Sequence, residues 1–337
     1  MGARTSIDSA ALRRSLHIAL AGSAFCLSAM TSVVPVGSNP ERGAEIREPA
    51  GPGDGAPGPS RPFTLRWQYS SFADDTALYA GAYRSAERLM RGEWEAGGID
   101  GTIRSRKGLR GTIEAGTISH HLFARDLIAR YFTELARCVH PKRIILIGPN
   151  HRARGHSSVA LSALRWRTPF GFVEPDSETL RTISHTGLAC VDEEAFVNEH
   201  SIGALVPFIR RSFPGSRIVP VIFKKVANRQ DCMKLAGTFS GLMESTLVLA
   251  SLDFSHYKTS REAEREDVAS LSVLGSLSTE RIDEAFVDSR PALLTLMQLC
   301  KNLRATDVEI VQHTNSGLLS HKPEAACTSY INTFIVK

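Results

Sequence analysis

The feature that most constrains the fold is a short apolar run at residues 143–147 (Arg-Ile-Ile-Leu-Ile) that ends abruptly in Gly148, Pro149, Asn150 and His151. A short run rich in β-branched side chains predicts a buried strand. Gly148 and Pro149 are expected to end that strand. The polar pair then lies at its carboxyl end, where open α/β sheets bind ligands. The run therefore predicts both a buried sheet and the edge of that sheet where a functional site belongs.

Three other segments place histidine in a similar position. Residues 112–118 run into Ser119-His120-His121, residues 246–251 run into Asp253-Phe-Ser-His256, and a predicted loop contains Glu199-His200-Ser201. We interpret these segments, together with His151, as four contributions to one metal-binding or catalytic pocket.

Helical and strand-like patterns alternate through most of the chain, which predicts layered α/β architecture. Residues 112–147 form a predicted β–α–β unit, with two parallel strands and a right-handed crossover. The predicted strands are 112–118, 143–147, 158–162, 217–223, 246–251, 308–313 and 328–336. The predicted helices are 73–90, 121–138, 176–185, 202–213, 231–243, 260–277 and 291–303.

The N-terminal part has a different composition. Arginines precede residues 16–36, which carry no formal charge, so residues 1–36 predict a signal peptide or N-terminal membrane anchor. Residues 37–62 are rich in Gly and Pro and predict a disordered linker. The folded domain is expected to span 63–337. This organisation predicts an exported or membrane-anchored protein; a cytoplasmic protein with a disordered leader or a mis-assigned start codon is the alternative.

Composition and missing motifs exclude several classes. The net charge of +5 is scattered, with no dense basic block beside aromatic residues, so no nucleic-acid partner is expected. Any membrane contact is expected only through residues 16–36. The six cysteines form no CxxC pair. The sequence also lacks a Walker loop, GxSxG, HExxH and GxGxxG, which argues against the corresponding NTPase, hydrolase, zincin and dinucleotide-binding classes.

The histidines suggest metal chemistry. Imidazole is a ligand for iron, copper and zinc, and a mononuclear non-haem iron site needs two histidines and one carboxylate. His120 and His151 follow the two strands of one β–α–β unit; if those strands are neighbours, their ends lie roughly 5–10 Å apart. The structural alternative is that each histidine caps a helix or completes a turn.

Carboxylates accompany the other two histidines. Glu199 precedes His200 and Asp253 lies near His256, so each acid could orient an imidazole or take part in acid–base catalysis. Asp253 could instead cap the following segment, and His121 is either a pocket residue or a helix start. The residues that flank these motifs, namely Asn150, His121, Ser255 and Tyr257, are predicted to line the pocket.

In their order and spacing these motifs resemble those of the MEMO1 family, which includes the AmmeMemoRadiSam system protein B group. The resemblance covers about residues 64–337. The matching motifs are Ser119-His-His-Leu, Ile147-Gly-Pro-Asn-His151, Glu199-His-Ser-Ile202, Ile218-Val-Pro-Val-Ile222, Ser251-Leu-Asp-Phe-Ser-His-Tyr257 and Thr328-Ser-Tyr330.

The resemblance implies the fold of LigB-like class III extradiol dioxygenases: a three-layer α/β/α sandwich with a mostly parallel or mixed central sheet. It also implies that His120 and His151 are metal ligands, that His200 and His256 are further pocket histidines, and that His256 carries protons. The family's third ligand is often a cysteine, but residues 287–291 read Val-Asp-Ser-Arg-Pro. Asp288 is then the candidate ligand, and its hard oxygen favours Fe(II) over copper; an ordinary turn residue is the alternative.

The leading hypothesis is therefore a metal-binding, dioxygenase-like oxidoreductase that uses Fe(II), with copper or zinc as alternative metals. One alternative is a non-catalytic pocket for a small molecule or peptide. The family resemblance implies that such a binding protein would have radical-SAM and AMMECR1-type proteins as partners. A zinc-dependent hydrolase that activates water is another alternative.

Overall fold

The computed structural model describes residues 66–91, 111–305 and 307–337. The predicted leader (1–36) and linker (37–62) lie outside these residues, so their assignments stay predictions. Within the described ranges, no helix has the length and apolarity needed to span a membrane.

Helices and strands alternate as predicted. Helices α1–α9 span Thr76–Met90, Arg125–Cys138, Ser177–His185, His200–Gly203, Val206–Ser212, Arg229–Ser240, Ser260–Ser276, Arg290–Leu303 and Ser316–Leu319. Strands β1–β12 span Gln68–Tyr69, Ile113–Ile118, Arg143–Pro149, Val159–Leu161, Trp166–Thr168, Gly171–Val173, Cys190–Val191, Arg217–Phe223, Thr246–Ser251, Phe254–Lys258, Asp307–Asn315 and Cys327–Val336.

The central sheet is mixed. Its order is β10-β12-β2-β9-β3-β8-β4-β7, with β11 also paired to β12. Strands β2, β9, β3 and β8 are parallel, whereas β12 and β4 pair antiparallel with their neighbours β2 and β8. The predicted β–α–β unit is parallel, but β9 lies between β2 and β3, so these two strands are not neighbours. Sequence periodicity carries no signal for such a long-range insertion.

Side chains alternate between the two faces of the central strands. In β3, Ile144 and Leu146 pack into the apolar cluster that includes α1, α2 and α5. Ile145 and Ile147 pack on the opposite face, in the cluster that includes α6 and α8. Helices therefore cover both faces of the sheet, as parallel strands require. The predicted three-layer α/β/α sandwich is confirmed.

Strand β3 continues two residues beyond its predicted end, through Gly148 and Pro149. Both residues stay in register with β8, whereas pairing with β9 stops at Ile147. Proline lacks an N–H donor and is tolerated where a strand has lost a neighbour. The prediction that Gly148 stops the strand was wrong, because Gly148 and Pro149 still pair with β8. The longer strand places Asn150 and His151 beyond the last residue that pairs with β9.

Two helix predictions also need correction. The helix predicted at 121–138 begins as a 3-10 turn at Leu122–Ala124, followed by α2 from Arg125. His121 remains extended because its ring is hydrogen-bonded to Tyr330 of β12. The helix predicted at 202–213 is divided into α4 and α5, and Pro207 lies in the first turn of α5, where its missing N–H is tolerated.

The close packing of β2 against β12 can be tested with a pair of glycine substitutions. A Cβ at Gly116 would overlap the Thr333 carbonyl oxygen and the Tyr131 hydroxyl, whereas a Cβ at Gly237 on α6 meets no atom within 4 Å. We expect Gly116→Ala to lower the free energy of unfolding by about 1–3 kcal/mol. Gly237→Ala should raise it by up to about 1 kcal/mol, because alanine favours helix. Urea denaturation of both variants measures the difference, and equal midpoints would contradict the packing described here.

Candidate metal centre

The candidate centre lies at the carboxyl edge of the parallel strands. His120 follows β2, His151 follows β3, and Asp253 follows β9. The ring centroids of His120 and His151 are 5.1 Å apart, those of His120 and His200 are 5.2 Å apart, and the His151 and His200 rings stack at 4.1 Å. These distances bring together three of the four histidines predicted to converge, and their metal-binding or catalytic role stays a prediction.

A serine fixes the orientation of His120. The Ser251 hydroxyl donates to the Ser201 carbonyl oxygen at 2.5 Å, so its oxygen must accept the hydrogen bond from His120 Nδ1 at 3.0 Å. The proton of a neutral His120 ring is therefore on Nδ1. Its Nε2 lone pair is free to bind a metal, and the ring is buried at 2% exposure.

Glu199 orients His151 in the same way. Its carboxylate accepts from the His151 backbone N–H at 2.8 Å and from Nδ1 at 2.7 Å, and it also caps α4 through Ser201. Burial alone would raise the pKa of Glu199, but the hydrogen bond and charge of His151 outweigh it and lower the pKa to about 2. An ionised Glu199 only accepts hydrogen bonds, so Nε2 of a neutral His151 is left unprotonated.

The two Nε2 atoms converge on Asp288. Asp288 Oδ2 lies 3.4 Å from His120 Nε2 and 3.7 Å from His151 Nε2. Asp253 holds this aspartate in place: its backbone N–H donates to Asp288 Oδ2, and its carbonyl oxygen accepts from the Asp288 N–H. Backbone contacts with Asp253 therefore hold Asp288 within the cluster, and its role as a ligand stays a prediction.

These separations suit one shared metal ion. Ligand atoms about 2.0–2.2 Å from a metal lie roughly 2.8–3.6 Å from one another in octahedral or tetrahedral arrangements. The Asp288 side chain is 7% exposed, and its Oδ1 is buried without a hydrogen-bond partner among the described residues. An ionised carboxylate in that state is costly unless a cation lies beside it. The donor set thus fits a metal.

The protonation of His151 also shows that the buried carboxylates favour a positive charge beside them. Burial opposes the charged form of His151, but the Asp288 and Glu199 carboxylates outweigh burial and raise its pKa to about 9. Without a metal, His151 therefore carries a proton at neutral pH. A bound metal would replace that proton as the counter-charge of the two carboxylates.

Asp253 lies on the buried side of the centre. Its Oδ1 accepts from the Ser119 hydroxyl at 2.5 Å and from the His120 backbone N–H at 3.2 Å, and its Oδ2 lies 3.4 Å from His120 Nε2. Burial would raise its pKa, but the charge of His120 and the Ser119 hydrogen bond lower it. Asp253 thus belongs to a second set of close donors, with His120 and Asp288.

His200 lies beside His151 at the outer side of the cluster. Its side chain is 53% exposed, and its donor atom is near enough to His120 and His151 for the three to bind one ion. Burial and the charges of His120 and His151 lower the pKa of His200 to about 4. The ring is therefore neutral at pH 7 and available as a ligand or as a proton acceptor.

His256 lies on β10 and not at the end of a parallel strand. Its ring contacts the ring of Tyr257 at 5.8 Å between centroids, and its charge influences Asp253 and His121. His121 Nδ1 and the buried Tyr330 hydroxyl share a hydrogen bond of 2.9 Å. Burial lowers the pKa of His121. These residues form a second group of titratable side chains next to Asp253.

The remaining predicted pocket residues have other contacts. Asn150 bonds through both side-chain atoms to the Arg154 backbone and so stabilises the turn after β3. The Ser255 hydroxyl donates to Asp267 on α7, away from the candidate ligands. Tyr257 is 86% exposed. The side chains of Asn150 and Ser255 thus bond to residues other than the candidate ligands, and their place in a pocket lining stays a prediction.

Sequence reasoning missed Ser119 and Ser251 as orienting residues. Ser251 ends a predicted strand and Ser119 directly precedes His120, so their position at strand ends was a usable signal. Their partners, however, come from distant segments, and no local pattern identifies a serine that holds an imidazole.

The match to a family model covers this whole site. A model described as Memo-like protein matches residues 119–333, which include every candidate ligand. The chain belongs to the Memo-like protein family. The first matched residue is Ser119, the partner of Asp253.

Curated relatives carry the same family name. A MEMO1 family protein of Aquifex aeolicus is 32% identical over 191 residues, covering 52% of this chain and 69% of that protein. A MEMO1 family protein of Caldivirga maquilingensis is 27% identical over 207 residues, covering 58% and 73%. The solved structure of the uncharacterized protein JW3007 from Escherichia coli K12 has a TM-score of 0.42 and 12% identity, covering 65% of this chain and 99% of that one.

The orienting role of Glu199 in this Memo-like protein is testable with Co²⁺ as a spectroscopic probe. Glu199→Gln removes the negative charge and leaves one acceptor oxygen for the three N–H groups that Glu199 serves, so metal affinity should fall about 10- to 100-fold. Glu194→Gln, at an exposed position in the same segment, is the matched control and should bind like the wild type. Chelator competition measures both affinities. Equal affinity of the two variants would show that Glu199 does not orient a ligand.

Proposed function

We propose that this Memo-like protein is an iron(II)-dependent oxidoreductase with dioxygenase-like chemistry. The observation that carries the proposal is the convergence of His120 Nε2 and His151 Nε2 on one Asp288 oxygen. Two histidines and one carboxylate with open positions are typical of non-haem iron oxygenases. Their donors are hard or intermediate, which favours iron over copper(I).

The chain's own residues define the rest of the site. Ser251 and Glu199 hold the two imidazoles with Nε2 directed at Asp288. Bound iron(II) would supply a redox-active Lewis acid with coordination positions open to substrate and oxygen. The neutral, half-exposed His200 ring lies beside the ligands on the side open to solvent.

Proton movement is assigned to the group around Asp253. His256 is the residue we propose to accept the substrate proton, because an imidazole both accepts and donates protons near neutral pH. His121, bonded to Tyr330, lies on the same side. Asp253 connects the candidate metal ligands with these two histidines. It accepts hydrogen bonds from Ser119 and the His120 backbone, and it interacts electrostatically with His121 and His256.

The substrate proposed is a small molecule that coordinates the metal. Radical-SAM and AMMECR1-type proteins are proposed partners in a shared system, which rests on the family resemblance. Association with them would be compatible with catalysis at this centre, so partner capture alone does not decide the function.

Metal content is the primary test. The full chain, purified anaerobically with iron supplied, should contain about one iron per chain. His120→Ala and His151→Ala should each lose it, because each removes a ligand, while His185→Ala, at an exposed position on α3, should keep it. Elemental analysis measures the metal, and circular dichroism checks the fold.

Each other outcome has a distinct meaning. Unchanged iron in both ligand variants would refute the assigned site. Zinc retained in the presence of excess iron, with no oxygen uptake from catechol-like substrates, would indicate a hydrolase. A metal-free protein that still captures a ligand or partner through the pocket would indicate binding without turnover.

The third ligand has its own test. Asp288→Asn keeps the shape but removes the negative charge, so iron(II) affinity should fall at least about 100-fold. Asp288→Cys should shift preference from iron(II) towards copper(I), because a thiolate is a softer ligand. Asp283→Asn, at an exposed nearby position, is the control. Undiminished iron binding by Asp288→Asn would move the carboxylate assignment to Asp253.

A further inference from the structure

Cationic side chains lie on the β3–β8 side of the candidate metal centre. We call Arg152, Arg154, Lys224 and Lys225 the basic rim. Arg152 directly follows the ligand His151, and Lys224 directly follows β8. Since β3 and β8 are parallel neighbours with Pro149 opposite Phe223, both loops leave the same edge of the sheet.

Hydrogen bonds hold the two loops together. The Asn150 backbone N–H donates to the Phe223 carbonyl oxygen at 2.8 Å, and Lys224 Nζ donates to the Gly155 carbonyl oxygen at 2.6 Å. These contacts place the start of the β8 loop against the loop that carries Arg152 and Arg154. The basic rim is therefore one surface and not two unrelated loops.

Arg154 connects the rim to the histidine cluster. The Asn150 side chain fixes its backbone, and its guanidinium donates to the Val197 carbonyl oxygen at 3.4 Å. Val197 leads directly into Glu199 and His200. The loop of the basic rim thus lies against the segment that supplies the exposed His200 ring.

The acidic groups nearest this surface do not cancel its charge. Glu199 is buried and accepts from His151 and Ser201. Asp192 accepts from the backbone N–H groups of His156 and Ser157, at the far end of the loop. Among the described residues, Arg152 and Lys225 are exposed and form no ion pair with a carboxylate. The loops that follow β3 and β8 therefore carry positive charge that no ion pair within the described part of the chain compensates, next to His151 and the largely buried Asp288 side chain.

We propose that the basic rim selects substrates that carry an anionic oxygen group, a carboxylate or a phosphate, in addition to the atoms that reach the metal. The inference rests on the proposed function, because the rim is argued to act on a ligand of the metal centre. A guanidinium binds planar oxyanions through two parallel hydrogen bonds. A positively charged surface also raises the local concentration of anionic ligands.

Three catechols that differ in side-chain charge test this selectivity. Dihydrocaffeate carries a carboxylate, homocatechol a methyl group, and dopamine an ammonium. Anaerobic calorimetry of the iron(II)-loaded full chain should show dihydrocaffeate binding at least about fivefold more tightly than homocatechol, with dopamine weakest. Raising the salt from about 0.05 M to 0.5 M should reduce this preference, because exposed charges are screened.

Variants assign the effect to the rim. Arg152→Ala combined with Lys225→Ala should abolish the carboxylate preference and leave homocatechol affinity and iron content unchanged. Arg152→Glu should favour dopamine. Arg181→Ala, at an exposed position on α3, is the control and should keep the preference.

Separate readouts distinguish the two proposals. If the wild type holds iron but shows no carboxylate preference, or binds none of the catechols, the basic-rim inference is overturned and the metal centre stands. If the preference persists in the double variant, the rim assignment is likewise overturned. If the wild type holds no iron, the proposed function fails, and the rim inference fails with it.

Discussion

The parallel register of β2, β9, β3 and β8 is the constraint on which the candidate centre depends. Because these strands run in one direction, their carboxyl ends meet at one edge, and residues far apart in sequence become neighbours there. β9 separates β2 from β3, yet the rings of His120 and His151 still approach to 5.1 Å. The extension of β3 through Pro149 contributes to this approach, since it lets His151 begin beyond the last residue that pairs with β9.

A concentration of buried negative charge shapes the chemistry at this edge. Glu199, Asp253 and Asp288 are all largely withdrawn from water, and the imidazoles of His120 and His151 lie beside them. Such a group is stable only with compensating cations. In the metal-free state the proton on His151 supplies part of that charge, as its pKa of about 9 indicates. The cluster of buried carboxylates, which is unfavourable without a cation, is therefore the group that would hold a metal. The need for positive charge is greatest at the Asp288 oxygen that has no hydrogen-bond partner within the described ranges.

The sequence predicts the strands and the converging histidines well because both have local signatures. Apolar runs such as 217–223 and 246–251 match β8 and β9 residue for residue. The pairing order of strands is non-local, so the position of β9 between β2 and β3 could not be read from periodicity. The orienting hydroxyl of Ser251 and the hydrogen-bond partners of Asn150 and Ser255 depend on contacts formed only in the folded chain. Asp288 was reachable only through the family resemblance, since a lone aspartate before a helix has many ordinary explanations.

In the proposed centre, the Asp288 carboxylate stands where the family resemblance implies a thiolate. Both side chains are anionic, so this exchange would conserve the net charge at a bound metal, but the oxygen donor is harder. A harder, more ionic centre relies more on electrostatic attraction to bring in its ligands. In the proposed function, the cations of the basic rim and a metal held by His120, His151 and Asp288 would both attract an anionic substrate. Glu199 and Asp253 are directed inward at imidazoles and backbone amides, whereas Asp288 keeps one buried oxygen without a hydrogen-bond partner among the described residues, beside the proposed metal.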